Sequence, residues 1–332
     1  MAGNSFDVVN YSVRPNKNVE RKLLAESLAA LAPQFNISDY RYVGFGSMWF
    51  TDFALFHRTL QISDMISIEG GGEDAVRRAE FNRPHTCICV LGGYSTEVLA
   101  SAIEDKKRSI VWLDYDKGPG EAPAEEDIEI FFRHASSGSI VMFSMNAHGE
   151  RIRLRKDTGK GFKPRLEGLK DLLKHLVPSW VKEDDLKNET YPSTLARIFL
   201  DHMKSIPVRL GRTVKFIPLY NIYYRDGAPM ITVGGMLCDK SDETTLTSLN
   251  LDKRFFYIGE EPQLRIEVPH LTPKEKILID CTVPYNLRND CKMIGLDGLG
   301  PNDGMENAPI SREMLEQYVK FHRYFPYYAE VI

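Results

Sequence analysis

Apolar and polar positions along this chain keep two rhythms that take turns. Leu24, Leu28 and Leu31 recur at helical spacing and predict an amphipathic helix over 20–31. After it, short apolar runs alternate with helical patterns. A strand at 42–45 leads to a helix over 49–60, and a strand at 65–69 to a helix over 73–81. A third strand at 86–91 precedes a helix over 96–103, and a fourth at 109–114 precedes a helix over 124–135. A fifth strand spans 139–145. This alternation implies right-handed crossovers and a parallel sheet covered by helices on both faces.

The rhythm then changes. Helical stretches near 166–176 and 193–204 are followed by two long strand-like runs, 213–224 and 230–237. Between them lies Arg225-Asp226-Gly227-Ala228-Pro229, a hairpin signal centred on Asp-Gly. Strands joined so tightly must be antiparallel. The expected fold class is therefore α/β, a Rossmann-like, seven-stranded and mostly parallel sheet closed by a terminal antiparallel hairpin. Residues 1–40 read as an N-terminal arm and helix, 41–238 as the sheet domain, and 239–332 as an α+β extension.

That extension opens on a polar linker at 240–245 and carries β-like runs at 255–258 and 264–268. A helix is expected near 274–280, a Gly/Asp/Asn/Pro-rich loop at 295–304, and a final helix capped by Ser311 with Leu315, Tyr318, Val319 and His322 on one side. The aromatic end, Tyr324-Phe325-Pro326-Tyr327-Tyr328, is costly to leave in water. The extension is expected to pack on the sheet domain or, in an oligomer, on another subunit.

No run of about 18 apolar residues occurs, which argues against a membrane span, and the polar first 18 residues lack the apolar core of a secretory signal. Five cysteines without a C-x-x-C pair argue against a disulfide framework or structural zinc. Cys87 and Cys89 alternate along a strand and read as core packing. A reduced, cytoplasmic protein is expected. The net charge of −4, from 42 basic and 46 acidic residues, does not suit a general nucleic-acid coat. Locally, 151–174 holds nine Lys or Arg against three acids. That segment is either a solvated face or the place of a phosphate-bearing or nucleic-acid partner.

The most informative stretch is Val43-Gly44-Phe45-Gly46-Ser47-Met48, a short glycine loop between a strand and a helix, with Glu69 closing the next strand. Gly44 and Gly46 let the backbone turn and approach a ligand where a Cβ would clash. Glu69, one βαβ step later, falls where a carboxylate accepts both hydroxyls of an adenosine ribose.

The order of elements over about 20–238, with its reversed last strand, resembles the class I S-adenosylmethionine-dependent methyltransferase fold. The peptides Asn10-Tyr11-Ser12-Val13-Arg14-Pro15-Asn16-Lys17 and Tyr42-Val43-Gly44-Phe45-Gly46-Ser47 also resemble a bacterial group described as O-methyltransferases. The resemblance implies S-adenosylmethionine as cofactor, with Gly44, Phe45, Gly46 and Ser47 under its methionine part, Glu69 on its ribose, and Tyr94 stacked on adenine. This chain departs from the pattern at two places. Arg41 and Tyr42 stand where an acid often precedes the glycines, and Leu91-Gly92-Gly93-Tyr94-Ser95 replaces the usual acid near the adenine. Tyr94 serves equally well as the cap of the following helix.

Reacting groups belong at the carboxyl ends of the strands. Asp114 and Asp116 end the fourth strand, Asn146 and His148 follow the fifth, and all four are candidate catalytic residues. Asp114-Tyr115-Asp116 keeps the acid and ring of the amino-directed enzymes without their prolines. A catechol-type magnesium site would use Asp114, Asp116 and Asn146, but Met145 stands where that pattern has a second acid. No metal is therefore expected, and His148 becomes the candidate base. The bland alternatives are helix-capping acids, a loop-tying Asn146 and a surface His148. The peptide Arg14-Pro15-Asn16-Lys17 reads as a lid, a holder of an acidic substrate, or a solvated arm. Methyl transfer to an O or N acceptor is the leading reading. A catalytically inactive nucleotide-binding or interaction module in a bacterial assembly is the second, and a nicotinamide-dependent oxidoreductase the third.

Overall fold

A computed structural model describes residues 14–103, 106–156, 161–254, 259, 261–280 and 312–325. The chain forms two compact units, Met1–Arg265 and Ile266–Ile332. In the first, α1 (Pro15–Phe35) precedes β1 (Arg41–Gly44), α2 (Thr51–Leu60), β2 (Asp64–Glu69), α3 (Glu73–Asn82) and β3 (Ile88–Gly92). Then come α4 (Ser95–Ile103), β4 (Ser109–Asp114), α5 (Ala124–His134) and β5 (Ile140–Asn146). After α6 (Arg165–Leu173) and α7 (Tyr191–Arg209), the hairpin β6 (Lys215–Arg225) and β7 (Pro229–Cys238) leads to α8 (Lys240–Ser248), and β8 (Leu264–Ile266) begins at the end of this unit.

The strand order is β3-β2-β1-β4-β5-β7-β6-β8. β1 to β5 pair in parallel, while β7 runs antiparallel to both β5 and β6. The hairpin is antiparallel as its turn required, its second strand is wedged into the sheet beside β5 as the family resemblance implied, and β8 adds an eighth strand at the β6 edge. Glycine makes the wedge possible. A Cβ on Gly234 would sit 2.3 Å from the Val141 carbonyl, and one on Gly235 2.2 Å from that of Ile217. The β6 register slips between Pro218 and Tyr220, where proline has no N–H for the ladder.

The core is continuous from Val43 and Val111 through Phe143 to Leu195 and Phe199. Phe143 of β5 and Phe199 of α7 meet edge to face at 4.9 Å. In the second unit, α9 (Pro273–Asp280) and α10 (Arg312–Phe321) are joined by the Tyr318 hydroxyl, which donates to Asp280 Oδ1 at 2.6 Å.

Three expectations need correction. Arg14-Pro15-Asn16-Lys17 is the entry to α1 rather than an arm before it. The supposed linker at 240–245 is helix α8, whose N-cap Asp239 accepts from the Asp242 N–H; the Asp242 carboxylate is drawn in by Arg108 at 2.8 Å. Cys87 is half-buried and Cys89 exposed, because β3 is the sheet's edge strand and packing covers it incompletely. The runs at 255–258 and 295–304, and Ser311, lie outside the described residues.

Candidate active site

β1 to β5 all end on one side, and the register lines up their tips. Gly44 stands beside Ser67 and Trp112, Glu69 beside Gly92, and Asp114 beside Ser144. The order reverses between β1 and β4, so the crevice of an open α/β sheet opens there. The glycine loop crosses it. Gly46 donates its N–H to Ser67 Oγ at 3.0 Å. A Cβ on Gly46 would lie 2.6 Å from that oxygen and 2.5 Å from the Phe50 ring, so only glycine lets the loop lie down on β2. Ser47 and Phe50 take left-handed backbone angles, φ 49° and 46°, as the chain turns into α2. Phe45 stays partly exposed, edge-on to Tyr115 at 5.4 Å.

Glu69 closes β2 half-buried. Burial raises its pKa, opposed by the Gly71 N–H that its Oε1 accepts at 3.2 Å. Tyr94 sits next to it. Its N–H is held by Glu97 Oε2 at 3.1 Å, which caps α4, while its ring is 65 % exposed. A Cβ on Gly70 would be 3.0 Å from that ring. A carboxylate and an exposed aromatic face therefore flank the same short turn.

At the tip of β4 the site holds a buried charge cluster centred on Lys17, read from the sequence only as part of a lid, a holder of an acidic substrate or an arm. Lys17 of α1 is 2 % exposed. Its Nζ lies 2.8 Å from Asp114 Oδ1 and 2.7 Å from Glu20 Oε2, above the Trp112 ring at 4.6 Å and the Tyr224 ring at 5.0 Å. Glu20 accepts from Thr232 Oγ1, Thr232 pairs with Ser144 Oγ at 2.7 Å, and Trp112 Nε1 donates to Ser144 at 3.1 Å. The Tyr42 hydroxyl donates to Asp52. Burial pushes Asp114 up, but Lys17 and then Arg21 outweigh it and hold the carboxyl below its ordinary range. Burial raises Glu20 and Asp52 against the pull of Lys17 and Arg21 respectively.

The entry to α1 is fixed from far along the chain. The Asp226 carboxylate, in the β6–β7 turn, accepts from Asn16 N at 2.9 Å, Asn16 Nδ2 at 3.0 Å and Lys17 N at 2.8 Å. An anion on the first amides of a helix satisfies donors that have no partner within it. The sequence did carry a signal for this cluster. Lys17, Arg21, Leu24, Leu28 and Leu31 follow a 4-3-4-3 spacing, so the charges ride on the apolar stripe.

The other candidates have defined places. Asp116 is exposed in the loop after β4. Asn146 is 6 % exposed, and its Oδ1 accepts the His148 N–H at 2.9 Å, which ties the loop after β5. His148 Nδ1 accepts from Glu150 N at 3.2 Å. That bond assigns the neutral ring's proton to Nε2, so His148 would have to release it before Nε2 could take a proton. Met145 is fully buried. Among the described residues no group of three or more His, Cys, Asp or Glu side chains is placed to hold a metal, and no helix is long and apolar enough to cross a membrane.

Half of the described bases in the 151–174 segment pair locally. Arg151 meets Glu121, Arg153 meets Glu150 at 3.2 Å, Lys163 meets Asp171 at 2.7 Å, and Arg165 meets Glu150 at 2.9 Å.

A sheet of this order, with a glycine loop and an acid at its switch point, is the methyltransferase type of Rossmann-like fold. Residues 9–332 match the family described as "Putative O-methyltransferase", and the chain belongs to that family. No curated protein matches it in sequence. Among solved structures it is similar to M. jannaschii TYW2 in complex with AdoMet, at 9 % identity and a TM-score of 0.39, over 72 % of this chain and 78 % of that one. It is also similar to the plantazolicin methyltransferase BpumL in complex with SAH, at 11 % identity and a TM-score of 0.38, over 66 % of this chain and 85 % of that one. Likeness at that level carries no functional argument.

Proposed function

We propose that this protein transfers a methyl group from S-adenosylmethionine to an oxygen acceptor. The observation that carries the reading is the joint placement of Gly46, Glu69 and the Tyr94 ring at the carboxyl ends of β1 to β3, on the β1 side of the crevice. The fit is chemical. A half-buried carboxylate suits two vicinal hydroxyls, and an exposed ring suits a purine face. When bound, the sulfonium supplies an electrophilic methyl, and alignment does most of the rest.

The chain's own part is to bind, orient and accept a proton. An acceptor hydroxyl that took the methyl would have to hand its proton to a group of this chain. Asp116, exposed beside the crevice, and His148, once it has exchanged its Glu150 bond, are the groups that would take that proton. Asp114 acts through position, its charge held by Lys17.

The test is calorimetry with S-adenosylhomocysteine. Each bond to a charged group contributes roughly 1.5–3 kcal/mol, so Glu69→Ala should weaken binding on the order of 100-fold. No heat from folded wild-type protein at high micromolar ligand would defeat the proposal. A second reading, a binding module without turnover, is favoured by the commitment of Asp114 to Lys17. Methyl label passing from cofactor to cell extract, and lost in Asp116→Ala, would reject it.

A further inference from the structure

The segment that follows β5 leaves the crevice and builds a groove. Its 3-10 turn Gly149–Ile152 starts beside the loop after β4, where a Cβ on Gly118 would lie 2.7 Å from Arg151 Cδ and 3.2 Å from the Asn146 carbonyl. Beyond it, Arg155 and Phe162 bridge antiparallel. There an open groove of about 710 Å³ is lined by Arg153, Lys156, Phe162, Lys163, Arg165 and Glu183, among others. The Phe162 ring is 45 % exposed and carries the Arg153 guanidinium 4.5 Å from its centre.

The acids facing this groove are already engaged. Glu183 spends both oxygens on the Arg165 and Leu166 amides, at 2.7 and 2.9 Å, capping α6. Glu150 holds Arg153 and Arg165. Arg155 and Lys156 have no acidic partner among the described residues, so the groove keeps excess positive charge on a chain whose net charge is negative.

We infer that this groove binds single-stranded nucleic acid, a base stacking on the Phe162–Arg153 pair and phosphates meeting Lys156 and, at the bridge beside it, Arg155. Planar stacking beside unpaired cations is how sequence-tolerant single-strand sites are built. A groove this open suits an extended strand better than an enclosed small molecule. The inference rests on the methyltransferase reading for its purpose, but not for its binding.

The test is fluorescence anisotropy with a labelled mixed-sequence 12-nucleotide RNA, repeated with the DNA strand, in the presence of S-adenosylhomocysteine. Micromolar binding of either strand is expected. Two neutralised phosphates at about 0.7 each give a log–log salt slope near −1.4, so binding should weaken about sevenfold from 50 to 200 mM salt. Phe162→Ala should weaken it at least about fivefold, and Lys156→Glu should flatten the salt slope. Both variants should keep wild-type calorimetry with S-adenosylhomocysteine, which shows them folded. No anisotropy change at 100 µM protein and 50 mM salt overturns the inference. So does competition by inorganic polyphosphate equal to that of unlabelled RNA together with no effect of Phe162→Ala. Strand binding without S-adenosylhomocysteine binding would remove the methyltransferase reading and leave the groove.

Discussion

An ammonium taken out of water costs several kcal/mol unless its new surroundings replace the lost solvation. Lys17 meets that demand with two carboxylates and two aromatic faces, all within 5.0 Å. Removing it would strand Asp114 and Glu20, and breaking a buried ion cluster in this way costs about 3–5 kcal/mol. Lys17→Ala is therefore expected to lower unfolding free energy in urea by that amount. Lys17→Met keeps the stem between Trp112 and Tyr224 and separates packing from charge, so its cost should fall between wild type and alanine. A loss below about 1 kcal/mol in the alanine variant would mean that α1 is held by its leucine stripe alone.

At the level of elements, β7 is where backbone room decides the fold. Gly234→Ala would drive a Cβ into the Val141 carbonyl at 2.3 Å and to 2.8 Å from Met142 Cα, and neither is a flexible side-chain end. Over-packing of this kind costs about 1–3 kcal/mol, and the thermal midpoint should fall by several degrees. Gly227→Ala in the adjoining turn, where a Cβ would meet nothing within 4 Å, is the matched control and should leave the midpoint unchanged. The insertion of β7 beside β5 followed only from the family resemblance, whereas the reversal itself was legible, because Asp226-Gly227 between two long apolar runs allows nothing else. The start of α1 was not. Its capping anion, Asp226, lies 210 residues from Asn16, and no local pattern can announce such a partner. Helix α8 was hidden for another reason: Lys240-Ser241-Asp242-Glu243-Thr244-Thr245 has no apolar stripe, although Asp239 stood ready as its cap. Glu69 and the glycine loop were readable because their places follow from one strand–helix–strand step. The Lys17 cluster escaped because a charge on an apolar stripe reads as an exception until its partner on β4 is known.

For the whole molecule, these buried groups set how stability runs with pH. His202 of α7 is 8 % exposed; burial, then Arg209, lowers its pKa to about 4, with Glu129 pulling the other way and His175 adding to the fall. A base depressed in the folded state contributes stability that is complete above its unfolded value, near 6.5, and is lost as pH falls toward 4. Asp114, also depressed, loses its contribution lower still, below about pH 4. Glu20 and Asp52 are raised, so their contribution is complete below the ordinary carboxylate range and drains away as pH rises through their folded values. The decline between pH 6.5 and 4 thus comes chiefly from His202, with His85 lowered in the same direction, against an opposing rise from the raised acids Glu20, Asp52, Glu69 and Asp127. His202→Leu should reduce that decline by on the order of 2 kcal/mol, allowing for partial solvent screening, as urea unfolding at pH 7, 5.5 and 4 would measure. An unchanged slope in the variant would show that His202 reaches water in the folded state and titrates there as freely as in the unfolded chain.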